Sequence, residues 1–425
     1  MKQPWPEVPL YEVCGTIVDC VNKTAPVVEG PTPYRMIRTT NVKSGVIDLA
    51  TVRYVTEETY RAWTRRQMPR PGDVILTREA PLGEVGMLRE ADGVFLGQRL
   101  MSYRADPDKL DAHFLLYALQ EDHLQDQIRA TGAGATVEHM RVPDAENLRI
   151  KLPPLHTQRK IAAVLSAYDD LIENNTRRAQ ILEEMARALY REWFVEYRYP
   201  SHEQDEFSED EQGRRPDEWS WVPMPFAIDI DPKTKVAKDG LKSFVPMSSL
   251  SEDSMIINDI EKRSGNSGAK FKNGDTLFAR ISPCLENGKT GYVNFLPDDS
   301  STAFGSTEYI VMRSRLVCPE YVYLLSRLPE FRSHAEASMS GATGRQRVKS
   351  ESFANYMIAL PPSHLIKSFE ALTKPLFDAI FNLASRSANL RRTRDLLLPK
   401  LVSGELDVST LDVQGVEEQL QEEIA

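Results

Sequence analysis

The sequence predicts a mixed α/β (α+β) chain in which two similar globular parts are joined by two long antiparallel helices that form a coiled-coil spacer. Two long segments with helical apolar stripes predict the helices, and each segment opens on Leu-Pro-Pro. A turn-and-strand motif that occurs twice, about 200 residues apart, predicts that the globular parts are repeats of one fold.

The first long segment opens at Leu152-Pro153-Pro154 and continues to Tyr197. The prolines favour extended backbone before them and a helix after them, so Thr157 is the predicted N-cap. Apolar residues then recur at spacings of three, four or seven, with no glycine or proline among them. The stripe consists of Ile161, Leu165, Tyr168, Ile172, Ala179, Leu182, Ala186, Leu189 and Trp193. A helix of roughly 40 residues would be about 60 Å long, which suits a spacer.

The second long segment opens at Leu360-Pro361-Pro362, 208 residues after the first. Its stripe consists of Phe369, Leu372, Leu376, Ile380, Leu383, Leu390, Leu397 and Leu401. Two helices with such stripes can bury them against each other. Because proline removes a helical hydrogen bond, we expect a kink or a split at Pro375 and Pro399.

The repeat extends into the globular parts. Gly72-Asp73 and Gly274-Asp275 are 202 residues apart, and each reads as a turn that leads into a strand-like run, 74–76 or 276–278. A matching arginine, Arg78 or Arg280, lies inside each apolar strand pattern. Further strand-like runs are found at 34–37, 94–96 and 309–312, and helices are predicted near 112–129 and 320–332. Gly-Ala-Thr then occurs in both parts, at residues 134–136 and 341–343.

Charge is distributed unevenly along the chain. The net charge of −10 comes from an acidic segment at 201–218, with a net of −6, and an acidic tail at 403–425, with a net of −7. The remaining chain has a net charge of +3, which permits nucleic-acid binding without demanding it. Four cysteines without metal-ligand spacing indicate free thiols in a reduced compartment, and no apolar run is long enough for a membrane span.

Together these motifs resemble one protein family. The order is a globular part with a Gly-Asp strand and a Gly-Ala-Thr loop, then LPPL-x-x-Q-x-x-I-A-A-x-L-S-x-x-D and a long helix. The same order then repeats and ends in LLLPKLVSGEL. This arrangement resembles the specificity subunit of type I restriction-modification systems over essentially the whole chain. The second helix opening departs from the motif, with Ile366 and Phe369 in place of Gln158 and Ile161.

The resemblance implies two target recognition domains, each reading one half of a bipartite DNA sequence. The implied divisions are 1–151 and 219–360 for these domains, 152–200 and 361–404 for the helices, 201–218 for an acidic linker and 405–425 for an acidic tail. The implied partners are double-stranded DNA, two modification subunits and restriction subunits in the cytoplasm. S-adenosylmethionine is expected in the modification subunit, and this chain is expected to bind no cofactor and to catalyse nothing.

Two alternatives belong to other function classes. A stand-alone methyltransferase or nuclease would need catalytic motifs, yet no Asn-Pro-Pro-Phe occurs and Gly288-Lys289-Thr290 lacks the first glycine of a phosphate-binding loop. A coiled-coil scaffold that does not bind DNA would fit the overall acidity. Protection of a bipartite DNA site by the assembled complex would exclude the scaffold.

Arginine, asparagine and lysine are the residue types that read bases or neutralise phosphates. The predicted DNA contacts are Arg35, Arg38, Asn41, Lys43, Arg78, Thr136, His139, Arg280, Thr343, Arg345, Arg347 and Lys349. Arg78 and Arg280 have an alternative, a structural salt bridge to Asp73 or Asp275. The loops at 134–141 and 341–349 could instead be solvated turns.

The long helices are also expected to contact the modification subunits. The predicted partner contacts lie on the two stripes and are Ile161, Leu165, Tyr168, Ile172, Leu182, Leu189, Ile380, Leu390 and Leu397.

Overall fold

The computed structural model describes residues 5–132, 138–342, 346–409 and 411. The chain forms two compact units, unit 1 of Met1–Glu173 with Ala388–Ala425 and unit 2 of Asn174–Ser387. Each unit contains one globular part and one half of each long helix. The units therefore cut across the predicted divisions, which follow the helix ends.

Ten α-helices lie in the described residues. They are α1 Leu10–Val13, α2 Glu57–Trp63, α3 Ala112–Gln120, α4 Asp122–Gly132, α5 Val142–Glu146, α6 Leu155–Phe194, α7 Met224–Ala227, α8 Pro319–Arg327, α9 Pro329–Ala337 and α10 Ser363–Val402. The single helices predicted near 112–129 and 320–332 are each two helices, α3–α4 and α8–α9. The second helix of the later pair starts at Pro329, where proline is tolerated because that N–H has no helical partner.

Unit 1 contains eleven strands among its described residues. They are β1 Glu7–Pro9, β2 Cys14–Asp19, β3 Arg35–Ile37, β4 Val42–Lys43, β5 Val46–Ile47, β6 Arg53–Tyr54, β7 Val74–Arg78, β8 Leu82–Met87, β9 Val94–Leu96, β10 Leu100–Ala105 and β11 Arg149–Lys151. The main sheet has the order β2-β10-β7-β8, and a second sheet has the order β6-β3-β9 with β3 and β9 parallel.

Unit 2 contains twelve strands among its described residues. They are β12 Phe207–Asp210, β13 Gly213–Pro216, β14 Ser220–Pro223, β15 Ile228–Ile230, β16 Lys242–Val245, β17 Glu261–Arg263, β18 Ala269–Lys272, β19 Thr276–Ala279, β20 Thr290–Tyr292, β21 Thr302–Gly305, β22 Tyr309–Ser314 and β23 Met357–Leu360. Its main sheet, β15-β22-β19-β20, repeats the topology of the main sheet in unit 1, and β16 and β21 repeat the parallel pair. The predicted repeat is therefore confirmed.

The first long helix begins earlier than predicted. α6 starts at Leu155, so Thr157 lies in its first turn and is not the N-cap. Gln158 is fully buried, and its amide donates to the backbone oxygens of Pro153 (2.8 Å) and Lys109 (3.0 Å). Its side-chain oxygen accepts from the backbone N–H of Asp111 at 2.8 Å. The glutamine of the helix-opening motif thus fixes the start of α6 to the start of α3.

The second long helix is continuous. α10 spans 40 residues through Pro375 and Pro399, so the expected split is wrong. Phe377, two residues after Pro375, is buried and packs against the rings of Tyr292 and Tyr323. Leu398 and Leu401 around the second proline are also buried, so packing holds both turns despite the missing hydrogen bonds.

In each unit the two long helices run antiparallel. In unit 1 the first half of α6 lies beside the last half of α10, where Arg394 forms an ion pair with Asp169. In unit 2 the last half of α6 lies beside the first half of α10, where the ring of Phe369 packs 4.7 Å from Phe194 and 5.6 Å from Trp193. Each pair of half-helices also packs into the core of its own globular part.

The segment predicted as an acidic linker contains a hairpin. β12 pairs with β13 in the register Phe207 with Pro216, and the guanidinium of Arg214 lies 4.2 Å from the Phe207 ring centre. Most of its acidic side chains are exposed, as expected for a solvated segment.

Candidate nucleic-acid interface

Arg78 ends β7 in unit 1 and is clamped by the backbone on both sides. Its N–H donates to Arg99 O at 2.8 Å, and its carbonyl accepts from Met140 N at 3.0 Å. Beside it, Glu79 lies 3.2 Å from Arg99 Nε and 3.3 Å from His139 Nδ1. We name Glu79, Arg99 and His139 ionic junction 1. It places the predicted contact His139 beside the end of β7. The Arg78 side chain is buried and donates from Nη1 to Met140 O at 3.2 Å, which corrects its predicted role as a DNA contact.

Unit 2 builds a matching junction from different residues. Arg280 N donates to Glu308 O at 3.0 Å, and Arg280 O accepts from Val348 N at 2.9 Å. Glu308 accepts two hydrogen bonds from Arg347, from Nε and Nη2 at 2.8 Å each, and lies 3.9 Å from Arg280 Nε. The hydrogen bonds from Arg347 lower the pKa of the Glu308 carboxyl. We name Arg280, Glu308 and Arg347 ionic junction 2.

The salt-bridge alternative for the two strand arginines is wrong because both aspartates are paired elsewhere. Asp73 accepts two hydrogen bonds of 2.7 Å from Arg104, and Asp275 accepts two of 2.7 Å from Arg313. The two aspartates are buried, so these forks close the turn before β7 and β19. Arg104 and Arg313 were not predicted, although they are 209 residues apart and therefore follow the repeat.

Asn41 is not available to DNA, which corrects its predicted role. It is buried, its amide nitrogen donates to Thr51 Oγ1 at 2.9 Å, and its oxygen accepts from the backbone N–H of Arg38 at 2.9 Å. Arg35 is also engaged, in an ion pair with Glu90. Asn41 therefore holds the loop that follows β3, and Arg35 ties β3 to the turn before β9.

The other cations of this segment keep groups that could reach a ligand. Arg38 uses one guanidinium nitrogen to donate to Thr51 O at 3.0 Å. Lys43 is exposed on the short strand β4. Both therefore stay candidates for contact with DNA.

The Gly-Ala-Thr loops fall largely outside the described residues. Thr136, Thr343 and Arg345 belong to the parts that the structure does not describe. Arg347 is tied to Glu308, and Lys349 is exposed just before a short 3-10 turn. Arg345, Arg347 and Lys349 alternate along the sequence, which predicts that an extended loop would turn all three cations to one side. This stays a prediction, because Arg345 lies outside the described residues.

A basic sheet face in unit 2 was missed from the sequence. In the sheet β17-β16-β21-β18, cross-strand register places Lys242 opposite Arg263, and Lys270 opposite Phe304. The Arg263 guanidinium lies 3.9 Å from the ring centre of Phe244. The face carries four cations, Lys242, Arg263, Lys270 and Lys272. They are scattered over 31 residues, so only the strand alternation could have revealed them.

The predicted partner contacts on the long helices are mostly used within the chain. Four of them are at most 8% exposed: Ile161, Leu165, Ile172 and Ile380. They pack inside this chain, so the prediction that they contact a partner is wrong. The remaining predicted contacts are partly buried: Tyr168, Leu182, Leu189, Leu390 and Leu397. The stripes therefore serve mainly to join helices to globular parts.

Other apolar side chains on the same helix do face solvent. Ile181 and Met185 lie one turn apart on α6 and are 46% and 52% exposed. The sequence pattern did not single them out, because they fall outside the stripe.

The described part of the chain lacks a metal-binding cluster and a membrane-spanning helix. It contains no group of three or more His, Cys, Asp or Glu side chains placed to hold a metal ion. Within the same residues, no helix combines the length and the apolar character needed to cross a membrane.

Comparison with known proteins identifies relatives of the chain. Residues 34–184 match the family described as type I restriction modification DNA specificity domain. The specificity subunit of the type I restriction enzyme MjaIX of Methanocaldococcus jannaschii is 24% identical over 371 residues, which cover 84% of this chain and 83% of that protein. The EcoEI specificity subunit of Escherichia coli is 34% identical over 164 residues, 37% of this chain and 27% of that protein.

A solved structure supports the fold. The crystal structure of a type I restriction-modification S subunit from M. genitalium superposes with a TM-score of 0.55 over 93% of this chain and 96% of that one. The identity is 14%, so this likeness concerns the fold alone.

Proposed function

This chain belongs to the specificity subunits of type I restriction-modification systems, and on that premise we propose that each of its globular parts reads one half of a bipartite DNA target. The family recognises DNA sequence for restriction-modification, and the finer division into half-sites is inferred here from the repeat. Each unit presents an ionic junction at the end of a matching strand, and in the sequence one member of each junction follows shortly after Gly-Ala-Thr.

The observation that carries this proposal is that the two junctions have matching backbone hydrogen bonds but different charged side chains. The backbone of Arg99 in unit 1 and that of Glu308 in unit 2 accept the same strand N–H. One position is therefore cationic and the other anionic, and His139 corresponds to Arg347 in the same way. The same backbone arrangement thus carries different charged side chains in the two units. This difference suits the recognition of two different DNA sequences.

Phosphate contacts would position the protein on the duplex. The basic sheet face of unit 2 offers Lys242, Lys270 and Lys272 for this purpose, and Arg263 beside them is paired with Glu261 at 2.6 Å. Glu261 is the one acid on the three strands that carry these cations. Such contacts supply affinity that depends on salt and carry no sequence information.

The long helices would serve as the spacer and as the docking site for the modification subunits. Because the stripes are occupied within the chain, the exposed pair Ile181 and Met185 is the better candidate for partner contact on α6. We expect two modification subunits in the complex, with restriction subunits joining them in the cytoplasm.

The chain itself would carry no catalytic step and no cofactor, and the modification subunit would bind S-adenosylmethionine. Incubation of the purified chain with radiolabelled S-adenosylmethionine and DNA should label no DNA. Labelling by the chain alone would instead support an enzyme.

Replacement of one globular part tests the proposal directly. Exchanging residues 5–150 for the corresponding part of a related subunit should change one half-site of the methylated sequence and leave the other half unchanged. A change in both halves would contradict the assignment of one half-site to each part.

A further inference from the structure

A polar cleft opens beside β3 in unit 1. Its volume is about 300 Å³, and its polar lining includes Arg38, Arg53, Gln98, Arg99 and Thr39. The cleft was not predicted as a unit, since its lining comes from four separate segments of the sequence.

Local backbone geometry builds this cleft. β9 runs parallel to β3, and at Gly97 a side chain would place its Cβ 2.7 Å from the carbonyl oxygen of Ile37. Because Gly97 has no side chain, this segment can stay close to β3, and the next residue, Gln98, lines the cleft. Arg99 follows with φ of 70°, a left-handed conformation that is uncommon outside glycine and is found at functional sites.

Several polar groups in the cleft have no partner in the described part of the chain. The Arg53 side chain makes no hydrogen bond or ion pair there, and the buried Nε of Arg38 has no acceptor. Gln98 accepts from Thr24 at 3.1 Å, which leaves its amide NH₂ free to donate. Buried polar groups ordinarily have partners, so the buried Arg38 Nε indicates a missing acceptor in this cleft. The Arg53 guanidinium and the Gln98 NH₂ are free to contact a ligand at the same place.

Two of the three arginines are held in place by the protein. Arg38 donates to Thr51 O at 3.0 Å, and Arg99 lies 3.2 Å from Glu79 of ionic junction 1. Arg53 is exposed on the edge strand β6. The cleft thus combines a fixed cationic wall with one free guanidinium fork.

We propose that this cleft reads a base edge in the first half-site, with Arg53 and Gln98 as specificity-determining residues. The inference rests on the proposed function and adds to it the residues and the chemistry. Arginine forks onto the two acceptors of guanine, and glutamine pairs with adenine through one donor and one acceptor. The Gln98 oxygen keeps a second lone pair beside the one that accepts from Thr24, so this amide can both donate and accept. A base edge can match both functions, whereas a phosphate offers acceptors only.

The corresponding place in unit 2 has other chemistry. The 3-10 turn after β3 follows Arg38, and the matching turn after β16 follows Pro246. Arg99 corresponds to Glu308. The side chains at this place therefore differ between the two units, as expected for domains that read different DNA sequences.

The test uses the complete complex with its modification subunits and a randomised first half-site. Arg53→Ala should lower the preference for one base position in the first half-site by about 5- to 150-fold and leave the second half-site unchanged. Arg53→Lys should lose the same preference, because lysine keeps the charge but lacks the planar fork. Gln98→Ala should relax a base position in the same half-site.

Arg61→Ala is the matched control. Arg61 belongs to the same unit, is 76% exposed and pairs with Glu57 one turn away on α2, so both half-sites should keep their sequence. A melting curve for each variant confirms that unit 1 is folded.

Two results would overturn the inference. A uniform loss of affinity in Arg53→Ala that Arg53→Lys restores, with an unchanged motif, would make Arg53 a phosphate contact. A wild-type motif and affinity in all variants would remove the cleft from the interface. In both cases the wild-type complex would still select a bipartite sequence, whereas failure of the proposed function would show as no such selection by the wild type.

Discussion

Arg347 donates two parallel hydrogen bonds of 2.8 Å to the Glu308 carboxylate. Arg347 is one of the predicted DNA contacts, and in the free chain this acid holds it. A bidentate arginine–carboxylate pair fixes the guanidinium in space, so binding to a phosphate would have to exchange one acceptor for another. Glu308 therefore controls how readily Arg347 can bind a DNA phosphate.

Glu308→Gln should strengthen binding to DNA in general. The change removes a negative charge and weakens the tether, so Arg347 can contact a phosphate. The log–log dependence of affinity on salt should then steepen by about 0.9. Glu351→Gln, an equal change at an exposed residue of the same unit, is the control for net charge. A salt slope equal to that of the wild type in Glu308→Gln would mean that Arg347 does not reach DNA.

The same pair predicts a pH dependence of stability. Because Arg347 lowers the pKa of Glu308, the folded protein gains stability from this carboxylate above its unfolded pKa of about 4.3. That gain is lost as the pH falls through the lowered folded pKa. Urea midpoints of wild type and Glu308→Gln should differ at neutral pH and converge in acid. A difference that grows toward acid would contradict the sign of the shift.

Asp169 should matter more for stability than its neighbour Asp170. Asp169 accepts a 2.7 Å hydrogen bond from the Tyr117 hydroxyl and pairs with Arg394, so it ties α6 to α3 and to α10 within unit 1. Asp169→Ala should lower the unfolding free energy by about 1.5–3 kcal/mol, as expected for a hydrogen bond to a charged group. Denaturant titration of the wild type and the variant measures this difference in unfolding free energy.

Asp170→Ala provides the control for that measurement. Asp170 is 52% exposed and lies 3.3 Å from Arg89, so its loss should cost less than about 1 kcal/mol. Equal costs for the two variants would show that Asp169 does not join the three helices.

Met185→Asp should weaken association with the modification subunit. Met185 is 52% exposed, so the variant should fold, but a contact with a partner would bury the new charge. We expect at least about tenfold weaker binding in a titration of the purified subunits. Glu184→Ala, on the next exposed position, should bind as the wild type does. Wild-type affinity in Met185→Asp would place the docking site elsewhere.

Longer helices should widen the gap between half-sites. Four residues inserted after Glu173 in α6, with four after Ser387 in α10, leave the residues of each unit intact. Each insertion adds roughly 6 Å, or about two base pairs of duplex. Sequencing of methylated DNA should show both half-sites unchanged and a longer gap. A four-residue insertion at the tip of the β12–β13 hairpin, between Glu211 and Gln212, should leave the gap as it is.

Local pattern predicted the elements well, because helices and strands follow spacings of a few residues. The stripes identified α6 and α10, and the Gly-Asp turns identified β7 and β19. The helix start was misplaced because Gln158, not Thr157, makes the decisive contacts, and its partners lie up to 49 residues away.

The site was harder to predict because its partners come from distant segments. Asn41 carries the right chemistry for a base contact, yet its amide is used by Thr51 inside the protein. Arg53 shows no local signal at all, and only the approach of β6, β3 and β9 brings it beside Gln98. A side chain's type is visible in the sequence, whereas its free donors depend on tertiary contacts.

The most direct test of the central claim is a comparison of DNA methylation in cells with and without this gene, read by single-molecule sequencing. The account predicts that one motif, made of two short half-sites separated by a gap of fixed length, loses its adenine methylation when the gene is deleted and regains it on complementation. An unchanged methylation pattern in cells that express the modification subunits, or the loss of a single uninterrupted motif, would contradict it.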